Sequence, residues 1–287
     1  MKKISLVFAG LLIAAMLSSP VLAQINPVVN DVHSALNETT VHSIHYPELT
    51  AEVIALIKQA KRGHLAVSIC AGRHAMGGQQ FGAGTFLIDM SRMNEILAFD
   101  RRRGMIEVEA GIQWPELVGY LLKAQEGDRH QWGIIQKQTG TSRLSIGGAL
   151  SANAHGRALT CKPIIDQVES FLLIDADGKM KRCSRRHNPE LFRLVIGGYG
   201  LFGVITQIQL RLGTRMRVRR DVEIISINNL VEKFQERIKA GYLYGDFQYS
   251  TDKISENFMR EGIFPTYAPV DHATPLTANP LKQTDSD

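Results

Sequence analysis

The chain has 287 residues with a 44% hydrophobic share, enough apolar material for one sizeable core and part of a second, and its composition excludes a disordered chain. A formal charge of +5 is mild, and three cysteines, an odd number with no CxxC spacing, leave at least one thiol unpaired.

From the N-terminus, Met1-Lys2-Lys3 and the apolar stretch Ile4 to about Leu17 have the charged start and short core of a secretory signal. The run is shorter than the roughly 20 residues a spanning helix needs, so cleavage near Ala23 is expected, giving an exported protein, periplasmic or secreted, without a stable membrane anchor. Loss of Lys2 and Lys3 lowers the formal charge from +5 to +3. Residues 24–39 read as an irregular arm. Next, Glu48 to Ile57 begins an amphipathic helix with Thr50 placed to cap it, and a strand follows from His64 to Cys70. A glycine turn, Ala71 to Gly78, separates this strand from the β-favouring run Thr85 to Met90.

Ile96–Asp100 and Met105–Ala110 flank a polar turn in the pattern of a hairpin, and Trp114-Pro115 opens a helix running to about Ala124. The small residues from Gly147 to Ala154 suit a helix packed tightly against a bulky neighbour. A second hairpin joins Val168–Ile174 to Lys179–Ser184 through Asp177-Gly178. A short helix then runs from Pro189 to Ile196, and a strand with one buried face starts at Val204. Beyond it lie one strand near Val222–Ser226, a helix from about Leu230 to Ala240 and a tail after Thr266 rich in Pro, Thr and Ala. The order is mixed α+β.

The basic clusters Arg101–Arg103, Lys179–Arg186 and Arg211–Arg220 border turns and strand ends and have no aromatic residues interleaved, which argues against nucleic acid as a partner. His42-Ser43-Ile44-His45 is an HxxH pair without an HExxH or cysteine-rich partner, so no metal is expected, and no GxSxG elbow is present. Gly198 to Gly203 fits GxGxxG, but it follows a helix and precedes the β-branched run Val204-Ile205-Thr206, the reverse of a Rossmann context. Gly72-Arg73-His74-Ala75-Met76-Gly77-Gly78 follows a strand, where successive backbone N–H groups in a tight turn make an anion site for a pyrophosphate. A second element runs from Ser145-Ile146-Gly147-Gly148 through Ser151 to His155-Gly156, and a third from Gly197 through Gly200 and Gly203 to Thr206.

In this order, the three elements resemble the PCMH-type (vanillyl-alcohol-oxidase-like) FAD-binding domain over residues 40–215. The resemblance implies a fold of two α/β subdomains, with 216–287 as the incomplete start of a cap or substrate domain. Implied FAD contacts are Gly72, Arg73, His74, Ala75, Met76 and Gly77; Ser145, Gly147, Gly148, Ser151, His155 and Gly156; Asp166; and Gly200, Gly203, Val204 and Ile205. Two departures from the family pattern, Ala71 for Gly and Ser145 for Thr, exchange small residues for small ones.

His74 stands where several members bind the flavin covalently; a non-covalent site with His74 only lining the loop is the alternative. A bicovalent flavin is not expected, because Cys161 falls after His155-Gly156. The implied activity is hydride transfer from a substrate C–H, of alcohol, polyol or sugar-lactone type, to flavin N5, with reoxidation by oxygen or another acceptor. The alternative is a non-catalytic FAD-binding remnant or a module that needs a partner chain. Cys70 is expected to be a small core residue, and a Cys161–Cys183 disulfide is open.

Overall fold

The computed structural model describes residues 26–138 and 140–275, so the signal-like segment 1–23 and the tail from 276 lie outside the described residues. The first unit is a three-stranded parallel sheet in the order Ser43–His45, Phe86–Asp89, Val67–Cys70. Its central strand is buried at all four positions, as expected of a parallel strand covered on both faces. Helix α1 (Thr50–Arg62) lays Val53, Ile57 and Ala60, spaced by four and three, onto this sheet. Thr50 is its first helical residue and not its cap: Leu49 occupies the N-cap position without a side-chain hydrogen bond, and Thr50 Oγ1 is buried without a partner. The strand expected from His64 starts only at Val67, because His64 takes a left-handed φ of 54° after α1 ends at Gly63.

The second unit is a five-stranded antiparallel sheet in the order Met180–Ser184, Val168–Ile174, Val204–Arg211, Met105–Glu109, Ile96–Asp100. Both hairpins lie where the alternation and turn residues place them. Three helices supply the other half of its core: α2 (Trp114–Ala124) through Trp114, Leu117 and Leu121, α3 (Ile146–Ser151) through Ile146, Ala149 and Leu150, and α4 (Pro189–Val195) through Phe192 and Val195. Proline in the first turn of α2 and α4 removes only N–H groups that a helix start leaves unpaired. The two units are packed together, because Ile174 and Val204 of the second sheet belong to the core cluster beneath the first.

The chain continues into an antiparallel sheet in which Arg217–Ser226 pairs along its whole length with Glu261–Val270, which also carries Tyr244–Gly245 and Gln248–Tyr249; helix α5 (Leu230–Lys239) precedes these short strands. The sequence reading missed Glu261–Val270, whose last residues it placed in the tail after Thr266. Pro265 turns its carbonyl to the Asp246 N–H, between the two short partner strands, where the ladder needs no donor from it.

Candidate cofactor site

The first glycine element is the turn between the strands Val67–Cys70 and Phe86–Asp89. Arg73 takes a left-handed φ of 55°, and its guanidinium turns back to Asp89, donating from Nη2 at 2.6 Å and from Nε at 3.2 Å. Its charge is therefore spent inside the fold, which leaves the Arg73 backbone, not its side chain, for a ligand. None of the backbone N–H groups from Gly72 to Gly77 donates to another group among the described residues. Next to them, His74 Nδ1 is buried without a partner. Burial, and then the neighbouring His33 and Arg143, hold the His74 imidazole below the usual histidine range, so it is kept neutral. Met76 is exposed and Ala75 half-buried.

In the second element, Ser145 Oγ caps α3 by accepting from Gly148 N–H at 3.3 Å. Gly147 donates to Ala110 O at 2.7 Å, and a Cβ on it would lie 2.9 Å from that oxygen, so this glycine answers to packing. Gly156 donates to Gln136 Oε1, and its own Cβ would fall 2.3 Å from Lys137 O. His155 is exposed, with Nδ1 3.0 Å from Gly156 O. Asp166 ends a short 3-10 turn, Ile164–Asp166, that is hung on this element by Ile164 N–H donating to Ala154 O.

The third element fastens onto the second: Gly197 N–H donates to Leu150 O, and Tyr199 N–H to Ser151 O, each at 3.0 Å. Gly200 has a φ of 82°, and a Cβ there would meet Ile69 of the strand that leads into the first turn. Gly203, at φ 137°, passes so close to Ile174 that a Cβ would lie 2.3 Å from its carbonyl oxygen. Val204 and Ile205 are core residues, so they can face a ligand only through backbone. The circle closes at Gly72, whose Cβ would lie 2.8 Å from Arg143 O and 3.3 Å from Ser145 N. The first and third elements thus both close on the second, the third also approaching the strand that leads into the first, and each of the three carries a non-glycine residue in the left-handed region: Arg73, Asn153 and Tyr199.

The sequence reading missed the contribution of the arm. Val28–Val29 pairs with Thr39–Thr40, and the loop between them is tied to a buried Asp31, which accepts from the His33 and Ser34 N–H groups and from Asn37 Nδ2. Val32 N–H then donates to Arg73 O at 3.0 Å, Asn37 Nδ2 to Met76 O at 2.7 Å, and the His33 ring stands edge-on to His74 at 6.4 Å. Asn30-Asp31 followed by Ser34 is the signal available in the sequence, a local carboxylate-to-amide turn. The three cysteines are free thiols: Cys183 is fully buried and Cys161 exposed, so the disulfide left open is absent. Cys70 closes its strand inside the core, its thiol pushed up to about 12, mainly by burial. His45 of the HxxH pair is stacked on Phe86 and bonded to Ser43, and no helix among the described residues is long and apolar enough to cross a membrane.

Comparison with known proteins converges with this geometry. Residues 42–184 match the FAD binding domain family. The chain is 30% identical over 169 residues to an uncharacterized oxidoreductase of the fasciation locus of Rhodococcoides fascians, covering 58% of this chain and 36% of that protein. It is 24% identical over 229 residues to the mitochondrial L-galactono-1,4-lactone dehydrogenase of Arabidopsis thaliana, covering 76% and 36%. The chain thus spans about a third of the length of these relatives. A solved structure of alkyldihydroxyacetonephosphate synthase superposes with a TM-score of 0.66 at 17% identity, over 79% of this chain and 46% of that one, a likeness of fold. Linked glycine turns on this α+β scaffold, together with the family match over residues 42–184, identify an FAD-binding domain of the PCMH type in this chain.

Proposed function

We propose that the chain holds FAD with its diphosphate on the turn Gly72–Gly77, and that the holoprotein is an FAD-dependent oxidoreductase taking hydride from a substrate C–H of the alcohol, polyol or sugar-lactone type. The observation that carries this reading is the run of unspent amides from Gly72 to Gly77. Consecutive N–H groups in one glycine turn, with no partner among the described residues, are the donor set a diphosphate requires. The backbone of Arg73, Ala75 and Met76 belongs to this cradle. Ser145, Gly147, Gly148, Ser151, His155, Gly156 and Asp166 then border the cofactor from the second element, and Gly200, Gly203, Val204 and Ile205 from the third.

Bound FAD supplies the two-electron acceptor; the protein's share is to hold it and to shield it from water. A neutral His74 with Nδ1 unspent is the group fit to bond the flavin covalently. Export after cleavage near Ala23, a small-molecule substrate without nucleic acid, and an electron acceptor or partner chain complete the proposal. N-terminal sequencing of the protein recovered outside the cytoplasm tests the export step.

A specific observation favours a second reading, an FAD-binding module that needs a partner chain. Helix α5 has no buried residue, and the strand Arg217–Ser226 exposes Val218, Val222 and Ile224 on one face. Anaerobic addition of polyols and sugar lactones to the flavin-loaded chain separates the two. Bleaching of the flavin supports the enzyme, and no bleaching with any of them supports the module. Acid precipitation tests His74: colour pelleting with wild type and lost in His74→Ala is expected, whereas colour wholly in the wild-type supernatant rejects the bond.

A further inference from the structure

A cavity of about 450 Å³ lies beside the second glycine element, between α2, the segment Trp132–Lys137 and the first residues of the third sheet. Most of its wall is apolar, with Leu121, Leu122, Ile134 and Val218 facing Tyr244 and Tyr267. Its charged lining residues are all cations, Lys137, Arg157 and Arg215, and no carboxylate lines it. Two of the three are engaged: Arg157 pairs with Asp246 at 3.3 Å, and Arg215 donates to Gln131. Lys137 is different. Its Nζ reaches only the Gln138 carbonyl at 3.2 Å, and it has no carboxylate partner among the described residues.

We infer that this cavity is a binding site for a small organic monoanion, a carboxylate carried on an aromatic or branched apolar body, with Lys137 as the counter-charge. A half-buried ammonium without an anion is costly. Burial alone presses the Lys137 ammonium below the usual lysine range, the direction expected when the counter-charge is missing. A carboxylate in the cavity supplies that charge, while the aliphatic and tyrosyl walls receive its body and exclude water. The site shares a wall with the second glycine element, since Gln136 and Lys137 are the residues on which Gly156 packs. The inference rests on the oxidoreductase reading only if the anion is the substrate; binding itself does not require FAD.

Trp132 lines the cavity and is one of two tryptophans, the other, Trp114, being fully buried, so its fluorescence reports occupancy. The probes are phenylacetate and its neutral counterpart, phenethyl alcohol, titrated into the full chain with and without FAD. Phenylacetate is expected to quench saturably and to bind about tenfold or more tighter than the alcohol, the usual margin of a charge-assisted contact. That margin should vanish in Lys137→Gln, return in Lys137→Arg, and the signal should be lost in Trp132→Phe. Equal binding of acid and alcohol, or an unchanged margin in Lys137→Gln, overturns the inference. So does a Lys137→Gln chain that loses FAD yet still prefers phenylacetate, because Lys137 would then serve the cofactor. Saturable phenylacetate binding in a chain that retains no FAD upholds this site while rejecting the cofactor reading, so the two fail separately.

Discussion

Arg73 sits in the middle of a turn assigned to an anion, yet its guanidinium is directed to Asp89, which is almost fully buried. The pair anchors the turn to the central strand of the first sheet, and Asp89 also accepts from Ser91 N–H. Removing one partner of a buried pair leaves the other uncompensated, so Asp89→Ala is expected to cost about 3–5 kcal/mol in urea unfolding; a loss below ~1 kcal/mol, the worth of an exposed pair, would contradict the assignment. His74 gives a pH prediction. Its folded-state value is depressed, so the folded chain takes up this proton at lower pH than the unfolded chain. Its contribution is complete above the ordinary histidine range and declines as pH falls through that range. Unfolding midpoints should therefore drop on acidification through this window in wild type, and more shallowly in His74→Phe; identical slopes would assign the titration to other groups. That Arg73 points inward was not legible, because a G-R-H string looks the same whichever way its arginine turns.

Among the elements, the ones written in local pattern were legible: both hairpins of the second sheet, the proline-started helices α2 and α4, and the strand opening at Val204. Those set by distant contacts were not. The strand Glu261–Val270 tolerates its prolines because of where its partners break, and the arm acquires its role from Arg73 and Met76, far along the chain. The arm is expected to act as a brace on the cofactor turn. Asn37 Nδ2 reaches both Asp31 and Met76 O, so Asn37→Ala should weaken FAD binding roughly 5- to 30-fold, the worth of one or two net hydrogen bonds. Flavin-fluorescence titration measures this, and an unchanged affinity would mean that the arm does not hold the turn. The third element makes a steric prediction: Gly203→Ala puts a Cβ against Ile174 O at a φ that L-residues avoid, and should yield little folded protein by circular dichroism.

At the scale of the molecule, the site exists because two sheets of different kind share one apolar seam. Ile174 and Val204 come from the antiparallel sheet but lie in the cluster with Ile88 of the parallel one and with Val53 and Ile57 of α1, which covers it. The two units should therefore unfold together, and Ile174→Ala should cost about 2–5 kcal/mol without splitting the transition. Both tryptophans pack in the second unit's core and neither in the first, so circular dichroism and tryptophan fluorescence would give separate midpoints if the units unfolded independently. The order of the three glycine elements was legible from the start; their fastening, Gly72 on Arg143 and Ser145, Tyr199 on Ser151, Gly200 on Ile69, was not, because each contact joins residues distant in the chain.

Amide hydrogen exchange with and without FAD tests the central claim most directly. Without FAD, the N–H groups of Gly72 to Gly77 have no partner among the described residues and should exchange fast. FAD should slow them more than any other turn in the chain; bound FAD with exchange at Gly72–Gly77 unaltered would contradict the account.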